Sequence, residues 1–214
     1  MKKEKWANAF ESRDDRRAKK RMAVLRAGAY LFNKQGFERT TLDDIAKALN
    51  VTKRTLYYYI DSKDEILIEC NRHAVETMKE IAEDIRRREG PPLERIERYL
   101  RHYMGFLADD MGVCLILSVD LPLEEPYAGI MREGRRKGDM TMRGLIEEGI
   151  ADGSIAPCDP RLTTAAIFGA FNWVPHWNTR PNPAPLNEIA DSYIPFVMNG
   201  LKARPEAKDA ETVG

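Results

Sequence analysis

No run of apolar residues in this 214-residue chain approaches the ~18 needed to cross a bilayer, so membrane-spanning classes drop out. The start, Met1-Lys2-Lys3-Glu4-Lys5-Trp6, is basic, but the apolar stretch of a secretory signal does not follow. Cysteine is scarce. Cys70, Cys114 and Cys158 lie 44 residues apart with no CxxC pairing, which argues against a disulfide scaffold or a zinc framework and for reduced thiols in the cytoplasm. Histidine is scarcer in effect, because His73, His102 and His176 fall on three different predicted helices. Cys70 and His73 stand at i,i+3, a spacing a thiolate–imidazole pair could use, but a buried cysteine beside a partly satisfied histidine is the simpler reading. Divalent-metal binding by His73 or His102 with nearby carboxylates gains no support from spacing. A glycine-rich phosphate loop, a nucleophile elbow and an HExxH pattern are all missing. The chain is therefore not read as an enzyme, and it is assigned no catalytic residue, metal ligand or cofactor. Net charge is also absent, with 34 basic and 34 acidic residues. That balance hides an asymmetry: Met1–Ser62 holds 15 basic against 8 acidic residues, a net of +7, and the remainder carries −7. A basic first third on an acidic remainder points to a polyanion met at one end.

What the sequence does have is helical periodicity almost throughout, with no stretch of strand-like alternation. A first helix is predicted over about Ser12–Gln35, its polar start giving way to Met22, Leu25, Ala29 and Phe32 on one face. Gly36 is placed to end it and Phe37 to latch it. Thr41 is expected to cap a short helix Leu42–Leu49, Asn50-Val51 to turn, and Thr52 to cap a third helix to about Tyr59. Either Asp61 or Ser62 caps a long fourth helix to about Arg88, which Gly90-Pro91-Pro92 stops. Three further segments follow: Leu93–Asp109, an apolar stretch Val113–Leu121, and Tyr127–Ile150. The next helix, about Pro160–Asn178, is apolar nearly all round, and Pro175 should bend or end it. A proline-rich loop then leads to a last helix, Leu186–Leu201, and a polar tail expected to be disordered.

Two short capped helices separated by a three- or four-residue turn make a helix-turn-helix, whose second helix can enter the major groove of DNA. Lys53 and Arg54 stand in the first turn of that helix, the part that reaches base edges, and Tyr57, Tyr58 and Tyr59 offer three hydroxyls within one turn. Tyr57 could instead pack beneath the helix. The run Arg13–Arg21 could be a solvated helix start, or Arg16, Arg17, Lys19 and Lys20 could reach flanking phosphates; Arg39 and Lys47 read as a solvated face.

This stretch resembles the DNA-binding domain of the TetR family of transcriptional regulators. The resemblance rests on Gly36-Phe37, Thr40-Thr41, Ile45-Ala46, Val51-Thr52, Thr55-Leu56-Tyr57-Tyr58-Tyr59 and Lys63-Asp64-Glu65-Ile66-Leu67, about 45 residues when the first helix is included. Asn50 stands where the family usually has a turn glycine, and asparagine is the next best left-handed residue. The resemblance implies an all-α protein with a three-helix DNA-binding head over residues 1–62, a helical effector-binding and dimerisation domain over 63–203, and a polar tail over 204–214. It also implies a homodimer whose two heads read a palindromic operator in double-stranded DNA, with a small-molecule effector and, as the family's commoner outcome, repression. Lys53 and Arg54 are the base readers it points to, and Tyr58 would touch a thymine methyl or a sugar. Thr41, Thr52, Tyr57, Tyr59 and Lys63 would hold phosphates, with Thr55 in the same DNA-facing set.

In that family the last two helices of each subunit form a four-helix bundle at the dimer interface, and Pro160–Asn178 and Leu186–Leu201 match the order. Interface packing is the plain reading of Phe168, Phe171 and Trp173. A second resemblance rests on Phe171-Asn172-Trp173, Trp177, the proline-containing loop and Leu186-Asn187-Glu188-Ile189-Ala190-Asp191. It looks similar to TetR-family regulators of fatty-acid and sterol breakdown, which respond to acyl-CoA thioesters. Candidate pocket walls are Tyr99, His102, Tyr103, Phe106, Leu117, Trp173 and Trp177 around an elongated apolar site. Arg98, Arg101, Arg180 and the Arg132/Arg135/Arg136/Lys137 cluster are available for the CoA phosphates, although a solvated helix face explains the cluster as well. Two alternatives stay open: a DNA binder of the same fold without an effector, and one that answers another ligand such as an aromatic compound.

Overall fold

Helix starts in the first third carry side-chain caps, with Thr41 and Thr52 where the sequence puts them. In a computed structural model describing residues 12–119, 121, 124–179 and 182–203, Ser12 caps α1 (Arg13–Gln35) and Thr41 caps α2 (Leu42–Ala48). Both form complete capping boxes, with Asp15 and Asp44 returning the hydrogen bond. The Thr41 hydroxyl and backbone bonds hold the Asp44 carboxyl below its ordinary value, as those of Ser12 do for Asp15. Thr52 caps α3 (Lys53–Tyr57), its hydroxyl accepting from the Thr55 amide at 3.2 Å. At the start of α4 (Lys63–Arg87) the choice falls on Ser62, whose hydroxyl accepts from the Glu65 amide at 3.0 Å. Six helices follow: α5 (Pro92–Phe106), α6 (Asp110–Leu117), α7 (Tyr127–Ala151), α8 (Pro160–Asn172), α9 (Val174–Trp177) and α10 (Leu186–Leu201).

The architecture is all-α, and the described residues contain no strand, only one antiparallel bridge between Ile155 and Lys202. No described helix is long and apolar enough to cross a membrane. Several boundaries differ from the sequence pattern for local reasons, among them the apolar stretch expected over Val113–Leu121, which is a helix over Asp110–Leu117 opened by the Asp109 cap. The third helix stops at Tyr57 rather than Tyr59, because the Tyr58 and Tyr59 amides turn back to Thr55 and Leu56 in a tighter winding. The fifth stops at Phe106 because Asp109 is already the cap of the next helix, accepting from the Met111 amide at 3.0 Å. The apolar helix after Pro160 ends at Asn172, and Pro175 sits inside the short α9, where it has no N–H for the helical ladder. The tail 204–214 and Arg180 lie outside the described residues.

Two compact units emerge from the contacts, one made of Met1–Glu76 with Ala108–Met131, the other of Thr77–Leu107 with Arg132–Gly214. In the first, α1 packs on α6 and α2, and its buried face is Val24, Leu25, Gly28, Ala29 and Phe32. At Gly28 α1 and α4 approach closely: a Cβ there would lie 2.4 Å from the Ile66 γ2 methyl and 3.7 Å from Ile45 Cδ1. Around this point Ile45, Leu56, Ile60, Ile66, Leu67 and Cys70 are almost completely buried, each large aliphatic side chain contributing roughly 1.5–3 kcal/mol. Gly36 ends α1 at φ +88°, and Phe37 folds back edge-on against Phe32, ring centroids 5.2 Å apart. Arg26 pairs with Asp109 at 2.7 Å, Asn33 donates to the Asp110 carbonyl at 2.8 Å, and buried Asn71 and Ser118 bond each other at 3.0 Å. These contacts tie α1 and α4 to α6. In the second unit α5 packs on α10; α5 buries Ile96, Tyr99, Leu100 and Tyr103, and α10 buries Ile189, Ile194, Met198 and Leu201.

Gly28→Ala is expected to destabilise by about 1–3 kcal/mol, the usual cost of overpacking, read as a lowered Tm. Adding Ile66→Leu, which removes the γ2 methyl, recovers part of the loss. A Gly28→Ala chain as stable as the parent contradicts the close approach.

Candidate nucleic-acid interface

The turn between α2 and α3 is closed by backbone bonds from Asn50 to Lys47 (3.1 Å) and from Val51 to Ala46 (2.9 Å), with Asn50 at φ +54°. Asparagine is the non-glycine residue most tolerant of that conformation, so the turn keeps its shape without the usual glycine. A five-residue helix cannot hold itself. Leu56 anchors α3 at 0% exposure and Ile60 just beyond it at 2%, which turns the opposite side outward.

That outward side carries most of the expected DNA-facing set. Thr41, Thr52, Lys53, Arg54 and Thr55 are all exposed, and Tyr57 and Tyr58 are 49% and 63% exposed. Such exposure decides against Tyr57 packing beneath the helix. Tyr59 is half-buried and meets Tyr58 edge-on, ring centroids 5.0 Å apart. Thr52 and Thr55 also join hydroxyl to hydroxyl at 2.9 Å. The two cations of the first turn differ. Arg54 has no ion pair among the described residues, whereas the Lys53 ammonium is 2.8 Å from the Asp43 carboxylate of α2. Hydrogen bonding by Asp43 and then its charge raise the Lys53 pKa. Lys63 is half-buried at the start of α4; its ammonium donates to the Phe37 carbonyl at 2.9 Å and lies 4.2 Å from the Phe37 ring centroid. With three N–H donors it can keep that bond and still meet a phosphate.

Two features of this surface escaped the sequence reading. Asp43 holding Lys53 depends on the α2–α3 crossing, which no spacing rule encodes. Arg17 of α1 lies with its guanidinium carbon 5.3 Å from the centre of the Tyr58 ring, across 41 residues of sequence.

The expected effector walls divide. Tyr99, Tyr103 and Phe106 lie together, buried on α5, and the Tyr103 ring meets Phe106, Phe168 and Phe171 at centroid distances of 5.7, 5.1 and 6.3 Å. The Tyr103 hydroxyl bonds the Asn172 side-chain oxygen, and that of Tyr99 donates to the Gly138 carbonyl at 3.3 Å. Burial drives both phenol pKa values up, so both hydroxyls stay donors at any ordinary pH. His102, at the edge of the same stripe, is exposed. Leu117 belongs to the other compact unit, where it lines a cleft of about 400 Å³ with Phe32, Phe37, Leu67 and Cys114. Trp173, 60% exposed and stacked on His176 at 4.6 Å, and exposed Trp177 also stand outside the buried cluster. Sequence reasoning had Phe168, Phe171 and Asn172 in view and did not place them in the wall; their i,i+3,i+4 spacing on α8 was the available signal.

Cys70 is fully buried, its thiol bonded to the Leu25 carbonyl at 3.3 Å and its pKa pushed up by desolvation, the opposite of an activated nucleophile. No cluster of three or more His, Cys, Asp or Glu side chains that could hold a metal occurs among the described residues.

Comparison with known proteins places this geometry. Residues 24–70 match the family model described as bacterial regulatory proteins, tetR family, and residues 89–201 match that of the tetracyclin repressor-like C-terminal domain. The fatty acid metabolism regulator protein of Bacillus subtilis is 22% identical over 85% of this chain and 95% of its own. The fold is shared with the ketosteroid transcriptional regulator KstR2 of Mycobacterium tuberculosis, at 20% identity and a TM-score of 0.78 over 86% of this chain and 96% of that one. It is shared also with AibR, solved with isovaleryl coenzyme A and operator DNA, at 22% identity and a TM-score of 0.70 over 82% and 96%.

Two substitutions on α2 and α3 have opposite expected effects on binding to a selected duplex. Arg54→Ala removes roughly 1–3 kcal/mol of discrimination between that duplex and a scrambled one. Asp43→Asn removes a carboxylate from the DNA-facing side, frees Lys53, and tightens binding severalfold at low salt. Equal loss on both duplexes for Arg54→Ala, or weaker binding for Asp43→Asn, contradicts these roles.

Proposed function

The chain belongs to the TetR family and is a DNA-binding transcriptional regulator, and from that premise we propose that it acts as a homodimeric cytoplasmic repressor, bound to a palindromic operator and released by an acyl-CoA thioester. The observation that carries the DNA half is the exposed row of Arg54, Tyr57 and Tyr58 on a helix whose other side is sealed by Leu56. Packing gives no reason to hold two tyrosines and an arginine in water; base edges and phosphates do. Thr41, Thr52 and Lys63, each at a helix start, are the phosphate contacts in this reading, with Thr55 and Tyr59 beside them.

Dimerisation is supported by what α8 and α10 leave uncovered. Leu162, Ala165, Ala166, Gly169 and Ala170 are exposed on α8, and Phe196 on α10 is 81% exposed. Small residues along one helix beside a projecting phenylalanine suit a second copy packed closely against them. Two heads in a two-fold dimer then read half-sites about one helical turn apart or slightly more.

The effector reading rests on the aromatic layer of Tyr99, Tyr103, Phe106, Phe168 and Phe171, apolar but carrying two hydroxyl handles. An acyl chain would lie against that lining, and a thioester carbonyl would accept from a tyrosine hydroxyl by displacing its present acceptor, the Gly138 carbonyl for Tyr99 or the Asn172 side chain for Tyr103. Of the cations considered for the CoA phosphates, Arg101 is paired with Glu97 and Asp191 and Arg136 with Glu133. Arg98 is exposed without an ion pair among the described residues, which makes it the favoured contact; it lines a pocket of about 200 Å³ with Arg88, Arg95 and the carboxylates Glu89 and Glu94. Release requires the effector to prefer a conformation whose heads do not fit the operator. Moving the dimer from ~99% competent to ~99% incompetent takes about 5.5 kcal/mol of differential affinity. Helix α4 contributes residues to both compact units, which makes it the natural carrier of that preference.

The test is a fluorescent duplex carrying the selected operator, titrated with acyl-CoAs of increasing chain length, free fatty acids and CoA alone. Release by one thioester class, with neither its acid nor CoA sufficing, is the expected result. Release by none overturns the acyl-CoA reading and leaves the regulator. In parallel, Phe196→Glu is expected to sediment as a monomer and to bind a single half-site and the full operator equally; an intact dimer contradicts the proposed interface.

A further inference from the structure

Two groups stand out among the cations of α1. Arg21 turns inward, with one guanidinium nitrogen 2.8 Å from Glu65 and another 3.1 Å from Glu69, and Arg26 meets Asp109 at 2.7 Å. Arg13, Arg16, Arg17 and Lys20, on the preceding turns, are exposed and have no carboxylate partner among the described residues. The Ser12–Asp15 capping box fixes the helix before them, so these side chains project from a formed helix rather than a frayed end.

One of the four is aimed. The Arg17 guanidinium lies over the Tyr58 ring at 5.3 Å, and Tyr58 is itself steadied by the edge of Tyr59 at 5.0 Å. A ring differs from a carboxylate as a partner for arginine. It takes the flat face of the guanidinium and leaves the N–H donors around its rim free. A carboxylate occupies those donors, as Asp43 occupies Lys53. Arg17 is thus held in place and still able to grip two oxygens of one phosphate.

We propose that the first turns of α1 form part of the DNA interface, with Arg17 clamping a phosphate that flanks the half-site and Tyr58 serving as its positioning residue. This rests on the DNA-binding reading above and gives Tyr58 a task other than the thymine or sugar contact expected from sequence. Each half-site then extends beyond the bases that α3 reads, by a contact that carries no sequence information.

A double-mutant cycle on a duplex selected by the unaltered chain, with salt titration, tests it. Arg17→Ala is expected to weaken the selected and a scrambled duplex by about the same factor and to lower the slope of log K against log[salt] by about 1 per half-site. Tyr58→Leu should give the same loss and the same slope change, Tyr58→Phe should recover what Tyr58→Leu loses, and Arg17→Ala/Tyr58→Leu should be no weaker than either single variant. Losses that simply add in the double variant overturn the positioning role. An unchanged salt slope in Arg17→Ala overturns the phosphate clamp, and so does a changed preference at a flanking base pair, which would mean base reading instead. If the unaltered chain shows no preference between selected and scrambled duplexes, it is the DNA-reading function itself that fails. A sequence-specific parent with an indifferent Arg17→Ala removes only this inference.

Discussion

Ile66 packs so closely on Gly28 that any larger residue at position 28 would collide with it, and the reading head depends on that approach. It brings α4 against α1 with Ile45 of α2 within reach, so three helices share one small core. The recognition helix has only five residues and its own nucleus is too costly to form alone. Leu56 and Ile60 let it borrow the rigidity of that core. What α3 presents outward is therefore fixed by contacts made on the other side of the head.

Charge is distributed to the same end. Glu65 and Glu69 neutralise Arg21 where α1 meets α4, and Asp109 neutralises Arg26 beside α6. Ion pairs this exposed contribute little to stability, typically under about 1 kcal/mol each. Their effect lies in where they leave positive charge exposed: on the outer turns of α1 and at Arg54, with Arg39 and Lys47 exposed as well. An acidic remainder limits nonspecific attachment to DNA elsewhere on the chain.

Much of this was legible in the sequence because it is local. Caps at Thr41 and Thr52, the left-handed turn at Asn50, the stop at Gly36 and the bounds of α10 each follow from a few neighbouring residues. The misses share a cause, which is that they depend on how elements cross. His102 keeps the i,i+3 relation to Tyr99 but falls on the edge of the buried stripe, and Leu117 joins α6 to the head rather than to the aromatic layer. Trp173 is apolar yet 60% exposed, because its helical backbone continues the exposed face of Ala166, Gly169 and Ala170. Asp43 meeting Lys53, and Arg17 meeting Tyr58, needed the angle between helices, which periodicity does not contain.

In the proposed function a rigidly held α3, carried twice by a symmetric dimer, reads a particular DNA sequence. The test is selection of bound duplexes from a random pool, at low and near-physiological salt. One enriched inverted repeat at both salt concentrations is expected, with half-site centres about one helical turn apart or slightly more. Binding that enriches nothing and only weakens with salt would contradict it, because phosphate attraction would then be the whole of the interaction.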